Sequence, residues 1–240
     1  MSIIDDLIAC LKHDAEVKDV RQGPFQTAVL SRNCGLASTP SNHSYQHGTA
    51  MVTDAGQIIG RSAREVAELA KSKKEFEAAI GTAALNSLID IDESRCTELN
   101  AIDLLVDKAK GKNMALVGHF PFVPKLRQTT KELWVIEQRP QQGDHDASEA
   151  DELIPQANVV GITGQAFANG TIDNLLKLCN PNAYVVIIGG TSPMSPLLFD
   201  YGINAICGTK VIDVDAVLNQ VSQGAIFKQI GGIKLLTMLE

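Results

Sequence analysis

The spacing of hydrophobic positions changes partway along this chain, and the change divides it. Near the start Ile4, Leu7, Ile8 and Leu11 recur at helical spacing behind Ser2 and Asp5, a pair placed for a capping box. Val20–Ser31 carries strand-forming residues with a break at Gly23-Pro24, and Gly35–Thr53 is a polar stretch expected to hold a short strand and a loop. Ser62 with Glu65 is a second capping box, opening a helix through about Lys71. A further helix is expected over Lys74–Leu88, with Phe76, Ala79, Ile80, Ala83 and Ala84 on one face. Strands followed by helices mark an α+β unit.

From about Cys96 strands and helices alternate. Asn100 and Asp103 cap a helix whose apolar set is Ile102, Leu105, Val106 and Ala109, and Gly111 ends it. Strands are expected at Met114–Val117, Glu132–Ile136, Asn158–Thr163, Tyr184–Ile188 and Ala205–Cys207. Helices are expected at Ala147–Leu153, Thr171–Cys179, Pro196–Tyr201 and Val214–Gln223. Several of the strands are unbroken apolar runs, as required when helices cover both faces of a sheet. Such alternation predicts a parallel, doubly wound α/β sheet of at least five strands. The polar joint of Asp90, Asp92, Glu93, Ser94 and Arg95 sets the expected division: residues 1–93 as a small α+β domain and 94–240 as a parallel α/β domain.

Composition narrows the classes of partner. At 240 residues the chain can bury one large core or two small ones, and 45% hydrophobic with 20% charged residues is ordinary for a soluble globular protein. The 21 basic and 28 acidic residues form no Lys/Arg block, which argues against nucleic acid and against a membrane surface. There is no leader-like start and no apolar run of about 18 residues, so no membrane partner is expected. Five cysteines without CxxC spacing read as reduced thiols, hence a cytoplasmic location. A homodimer is the default assembly for such a chain.

Ligands of doubly wound sheets bind beyond the carboxyl ends of the strands. Those ends are Gly118-His119-Phe120-Pro121, Glu137-Gln138-Arg139-Pro140, Thr163-Gly164-Gln165, Gly189-Gly190-Thr191-Ser192-Pro193 and Gly208-Thr209. Their glycines and hydroxyls suit close approach and hydrogen bonding to a polar ligand. Gly118 stands where a dinucleotide loop needs three glycines, and Pro121 and Pro124 remove amides that could hold phosphate. Glu137 follows Gly118 by 19 positions, close to the offset of a ribose-binding acid. Its carboxylate suits a ribose diol, a metal or a cationic substrate; the plainer alternative is a strand-end acid paired with Arg139 or Lys125.

The remaining motifs are weaker. Asn169-Gly170-Thr171 opens a helix whose amides suit an anion, though capping alone explains those residues. Thr191-Ser192-Pro193 lacks the Gly-Lys-Ser/Thr element of a phosphate loop. His43 and His47 lack the glutamate of a zincin helix, and Asp144-His145-Asp146 could hold a cation or be an ordinary solvated loop. No G-x-S-x-G elbow is present, and Cys179, Cys207 and Trp134 read as packing residues. The Phe120/Phe122 pair reads as core, with Phe120 placed to wall a pocket.

At these residues the chain resembles the heavy-metal chelation family, which joins an enolase N-terminal-like domain to a Rossmann-like domain. The matching segments include Gly118–Phe122, Glu137–Pro140 with Gly143-Asp144, Ala157–Thr163 continuing to Asn169-Gly170-Thr171, Gly189–Pro193 and Gly208–Val211. In the first half Thr27-Ala28-Val29, Gly35-Leu36-Ala37 and Gly81–Asn86 also match. Gly190 stands where the family often carries proline, and Cys34 and Ser87 replace common glycine and alanine. The resemblance implies a site in the cleft between the domains, taking a small polar or anionic ligand, a transition-metal ion or a metal chelate. Gly118, Phe120, Glu137, Thr163, Asn169, Thr191 and Ser192 would line it, with His119 and Asn86 on opposite walls. The rival is an enzyme using an adenosine cofactor, and the single glycine counts less against S-adenosylmethionine than against NAD, because the former has no pyrophosphate.

Overall fold

The computed structural model describes residues 2–40 and 48–240, so His43 and His47 lie outside the described residues. The chain opens with helix α1 (Ile3–Ala9), where Ser2 and Asp5 complete the capping box in both directions. Strands β1 (Asp19–Gln22), β2 (Gln26–Leu30) and β3 (Cys34–Ser38) then pair in sequence order as an antiparallel sheet. Helix α2 (Ala63–Ala67) tightens into a 3-10 turn over Glu68–Lys71. Its capping box is only half made: Ser62 accepts from the Glu65 amide, while the Glu65 carboxylate turns to Arg61 at 2.9 Å.

Helix α3 (Glu75–Leu88) is buried nearly all round and not on one face, because the small sheet covers one side and α2 another. Two glycines allow the close approach. A Cβ on Gly81 would stand 1.9 Å from the Ala70 amide nitrogen, and one on Gly35 would stand 2.1 Å from the Ala83 carbonyl oxygen.

After a 3-10 turn at Glu93–Arg95 the second sheet begins. Its elements are β4 (Cys96–Thr97), α4 (Ala101–Ala109), β5 (Asn113–Val117), α5 (Val123–Thr129), β6 (Glu132–Glu137), β7 (His145–Asp146) and α6 (Ala150–Leu153). There follow β8 (Val159–Thr163), α7 (Gln165–Ala168), α8 (Ile172–Leu178), β9 (Tyr184–Ile188), β10 (Ala205–Val211), α9 (Val214–Ser222) and β11 (Ile233–Leu239). The eight strands lie in the order β4-β11-β10-β9-β8-β5-β6-β7. From β10 to β7 every pairing is parallel; β11 and β4 run antiparallel at the far edge. The α/β class with a parallel sheet is thus the one expected. The antiparallel edge strand and α5 were not anticipated.

Two-sided burial is visible residue by residue. Met114, Leu116, Leu133 and Val135 pack in one core, while Ala115, Trp134 and Ile136 between them pack in the other. The expected helix over 147–153 is a 3-10 turn at Ala147–Glu149 followed by α6, and Pro196–Tyr201 is entirely 3-10. Each is a short connection with little length to complete α-helical turns, and Gly202, with φ of 76°, ends the second.

The two sheets meet across a polar seam. The Asn86 amide donates to the Leu36 carbonyl at 2.9 Å and to the Thr191 carbonyl at 3.0 Å. The Ser38 amide donates to Thr191 Oγ1 at 2.8 Å, and that hydroxyl donates to Ser38 Oγ at 3.1 Å. The Ile3 amide donates to Asp173 at 3.1 Å, and the Tyr201 hydroxyl donates to Asp6. Behind the seam, Val217, Leu218 and Val221 of α9 pack on Ala28 and Leu36 of the small sheet.

Candidate functional site

Strand order reverses between β5 and β8: successive strands run outward one way through β6 and β7, and the other way through β9 and β10. Such a switch point leaves a crevice at the carboxyl ends, because the connecting helices leave on opposite faces. A cleft of about 760 Å³ lies there, lined by Gly118, His119, Glu137, Thr163, Gln165 and Asn169 among others, with Ser38, Pro40 and Glu75 on its far rim. Its size is that of a small-molecule site.

The geometry begins at Gly118, whose φ of 106° a side chain would strain. A Cβ there would also stand 3.1 Å from both Phe120 Cε2 and Thr163 Cβ. The turn aims the next amide back at the sheet, and His119 N donates to Glu137 Oε1 at 2.7 Å. Glu137 Oε2 accepts from the Gln138 amide at 3.1 Å. Glu137 therefore locks the loop, while Lys125 pairs with Asp103 at 3.2 Å. Phe120 stacks on Phe122 with ring centroids 5.0 Å apart and planes 12° apart.

The His119 ring is held as well. Nδ1 stands 2.8 Å from Asp144 Oδ2, and the Asp144 side chain is 0% exposed. An ionised carboxylate only accepts, so Nδ1 is the donor in this contact, and in the neutral imidazole the lone pair is left on Nε2. Asp144 Oδ2 also accepts from the Gln141 amide at 3.1 Å, but its buried Oδ1 has no hydrogen-bond partner among the described residues. Arg127 Nη2 is 3.9 Å from that oxygen and donates instead to the Gly143 carbonyl at 2.8 Å.

Thr163 Oγ1 accepts from the Gln165 amide at 3.3 Å at the cleft floor. Asn169 Oδ1 accepts from the Thr171 amide at 3.2 Å and the Thr171 hydroxyl at 2.7 Å, so a local turn accounts for it. Helix α8 behind it is only 7 residues long. Asn86, Thr191 and Ser192 lie apart from this lining. Thr191 is tied into the seam, and Asn86 and Ser192 border a separate pocket of about 130 Å³.

The Asp144-His145-Asp146 run holds no cation jointly, because its side chains leave in different directions. Asp144 goes to His119, His145 Nδ1 to Glu149 at 2.9 Å, and Asp146 caps the Ser148 amide at 3.0 Å. Among the described residues no three His, Cys, Asp or Glu side chains converge to hold a metal ion. Burial pushes the Cys179 and Cys207 thiols up to about 11, consistent with packing roles. Among the described residues no helix is long and apolar enough to cross a membrane.

Asp151 and Glu75 are cleft residues that sequence reasoning missed, while Gln165 was named only within a strand end and Asp144 only as part of the Asp144-His145-Asp146 run and the family match. The clue for Asp144 was its place after Gly143, whose φ of 90° turns the loop back toward the β5 end.

Fold and cleft together define an α/β protein with a ligand-sized crevice at the switch point of a largely parallel sheet. Two family models, both described as "Putative heavy-metal chelation", match residues 4–89 and 100–239, and the chain belongs to this family, DUF364 in its second part. An uncharacterised protein of Methanocaldococcus jannaschii is 30% identical over 206 residues, covering 81% of this chain and 78% of that protein. A DUF364-family protein of unknown function from Desulfitobacterium hafniense superposes with a TM-score of 0.85 at 24% identity, covering 99% of this chain and 97% of the other. One from Pyrococcus horikoshii gives 0.83 at 20% identity, covering 99% and 98%. These two likenesses concern the fold.

Proposed function

We propose that the protein is a cytoplasmic binder of a small polar or anionic ligand, and that the ligand is a heavy-metal chelate. In this reading residues 1–93 form a cap over the Rossmann-like domain 94–240, and the cleft between them is the binding site. The carrying observation is the cleft of about 760 Å³ at the switch point, walled by Gly118, Glu137 and Thr163 and closed by Ser38 and Glu75 from the first part of the chain. The volume exceeds what a bare ion fills, which supports a metal arriving with its own chelator. The family description supplies the metal.

A second reading, an enzyme with an adenosine cofactor, is favoured by Glu137 at the end of β6, where a ribose-binding acid stands. Both Glu137 oxygens already accept backbone amides, which leaves fewer lone pairs for a diol.

A thermal-shift screen separates the two. It sets transition-metal ions and their iminodiacetate and citrate chelates against S-adenosylmethionine, NAD and adenosine. A ligand at ~100 times its Kd stabilises by roughly 2.7 kcal/mol, a rise of roughly 5–10 °C for a chain of this size. We expect chelates to give the shift and Gln165→Leu, on the cleft floor, to shrink it. A shift from S-adenosylmethionine alone would replace the first reading with the second, and no shift from any of these would remove both.

A further inference from the structure

We propose that His119, positioned by Asp144, is the side chain that coordinates the metal of a chelate held in the cleft. The inference rests on the reading of the cleft as a chelate site and names the group that distinguishes a metal-loaded chelator from an empty one.

Both ends of His119 are fixed. Its main chain is tied by the Glu137 carboxylate at 2.7 Å, behind a turn that only glycine adopts readily at φ 106°. Its ring is tied by Asp144 at 2.8 Å. Nδ1 is thereby engaged, and among the described residues Nε2 has no protein partner, on a side chain that lines the cleft and is 28% exposed. In the neutral imidazole the lone pair on Nε2 forms a coordinate bond by displacing a water from an open position on the ion; an imidazolium would first release its Nε2 proton to solvent.

The Asp144 side chain is what separates His119 from the other described histidines, His13 and His145. Burying a carboxylate with one oxygen that has no hydrogen bond, only Arg127 at 3.9 Å, costs free energy that an exposed carboxylate avoids. His145 makes a contact of the same form to Glu149 at 2.9 Å, but that carboxylate is 47% exposed. His13 lies 3.5 Å from Asp90, which is likewise 47% exposed. A buried carboxylate behind an imidazole fixes tautomer and ring orientation and raises the basicity of the far nitrogen, the arrangement usual behind metal-bound histidines. Glu137, by contrast, is committed to two backbone amides. One imidazole suits an ion whose other positions a chelator fills, and the cleft has room for that chelator.

The probe is copper(II) iminodiacetate, which leaves equatorial positions open, followed by pulsed electron paramagnetic resonance and calorimetry. The wild type should bind it and show the remote-nitrogen modulation of one coordinated imidazole. His119→Ala and His119→Gln should lose that modulation and bind at least tenfold more weakly, with unfolding temperatures confirming that both variants fold. Asp144→Asn should keep the modulation but bind roughly 10–100-fold more weakly. His145→Ala should behave as the wild type. Modulation that persists in the folded His119 variants overturns the assignment. If the complex binds, Gln165→Leu weakens it and the wild type shows no imidazole, then His119 is wrong and the cleft reading stands. If the complex does not bind the wild type at all, both fall.

Discussion

Glu77 shows how one buried carboxylate organises a loop. It accepts from the Thr53 amide at 2.8 Å, the Thr53 hydroxyl at 2.6 Å and the Ser72 hydroxyl at 2.6 Å, with Lys74 at 3.7 Å. Burial raises its pKa, but the Ser72 and Thr53 hydrogen bonds and the Lys74 charge outweigh burial and bring it from 4.5 down to about 2. A depressed acid stabilises the fold fully above its unfolded value and loses that contribution as pH falls through the folded one. Glu77→Gln should therefore cost roughly 1.5–3 kcal/mol at neutral pH. The deficit should shrink below about pH 4.5 and close near pH 2. Urea unfolding of both proteins across that range checks it; a deficit that does not change with pH would show that the charge is irrelevant. At this scale sequence gave the position of Glu137 but not its task. An offset along the chain locates a strand end, whereas the partner of a carboxylate depends on where the neighbouring turn sends its amides. The pairing of His119 with Asp144 was equally opaque, because the two lie 25 positions apart with helix, strand and loop between them.

Elements were legible where burial left no choice. The central strands are covered on both faces, so their apolar runs stand out against any neighbour. Helix α5 was hidden by Pro124 and by the aromatic loop before it, and β11 by its mixture of Lys234, Thr237 and apolar residues at an edge that is half exposed. Helix α3 is where local and tertiary preferences conflict. Gly81 in its interior lowers helix propensity by about 1 kcal/mol relative to alanine, so propensity alone predicts that Gly81→Ala stabilises. Packing predicts the reverse, because the added Cβ would sit 1.9 Å from the Ala70 nitrogen and 2.4 Å from the Leu69 carbonyl carbon, both backbone atoms. Overpacking against main chain costs 1–3 kcal/mol or more, roughly, and should win. A higher unfolding temperature for Gly81→Ala would mean that the 3-10 turn at Glu68–Lys71 yields freely and that α3 is less tightly clasped than its glycine implies.

For the whole molecule, the question is whether the small sheet and the large one unfold together. The seam that joins them centres on Thr191, 2% exposed, whose hydroxyl accepts from the Ser38 amide and donates to the Ser38 hydroxyl while its carbonyl accepts from Asn86. Ser38 also lines the cleft, so the same contacts hold one rim in place. Thr191→Val keeps the shape and removes the hydroxyl, leaving the Ser38 amide and hydroxyl without that partner. A fully buried unmet donor costs roughly 1–3 kcal/mol, and Ser38, partly buried at the cleft, should cost about 1 kcal/mol. With α3 and α9 covering opposite faces of the small sheet, we expect the loss to be felt by the whole chain: the urea midpoint should fall, the slope should stay unchanged and the transition should remain single. Near-ultraviolet signals from Trp134, in the large sheet, and proteolytic protection of the small sheet should then move together. If Thr191→Val instead splits the transition, with the small sheet lost first, the two parts are separate folding units joined only at the seam, and the cleft lining at Ser38 and Glu75 opens with it.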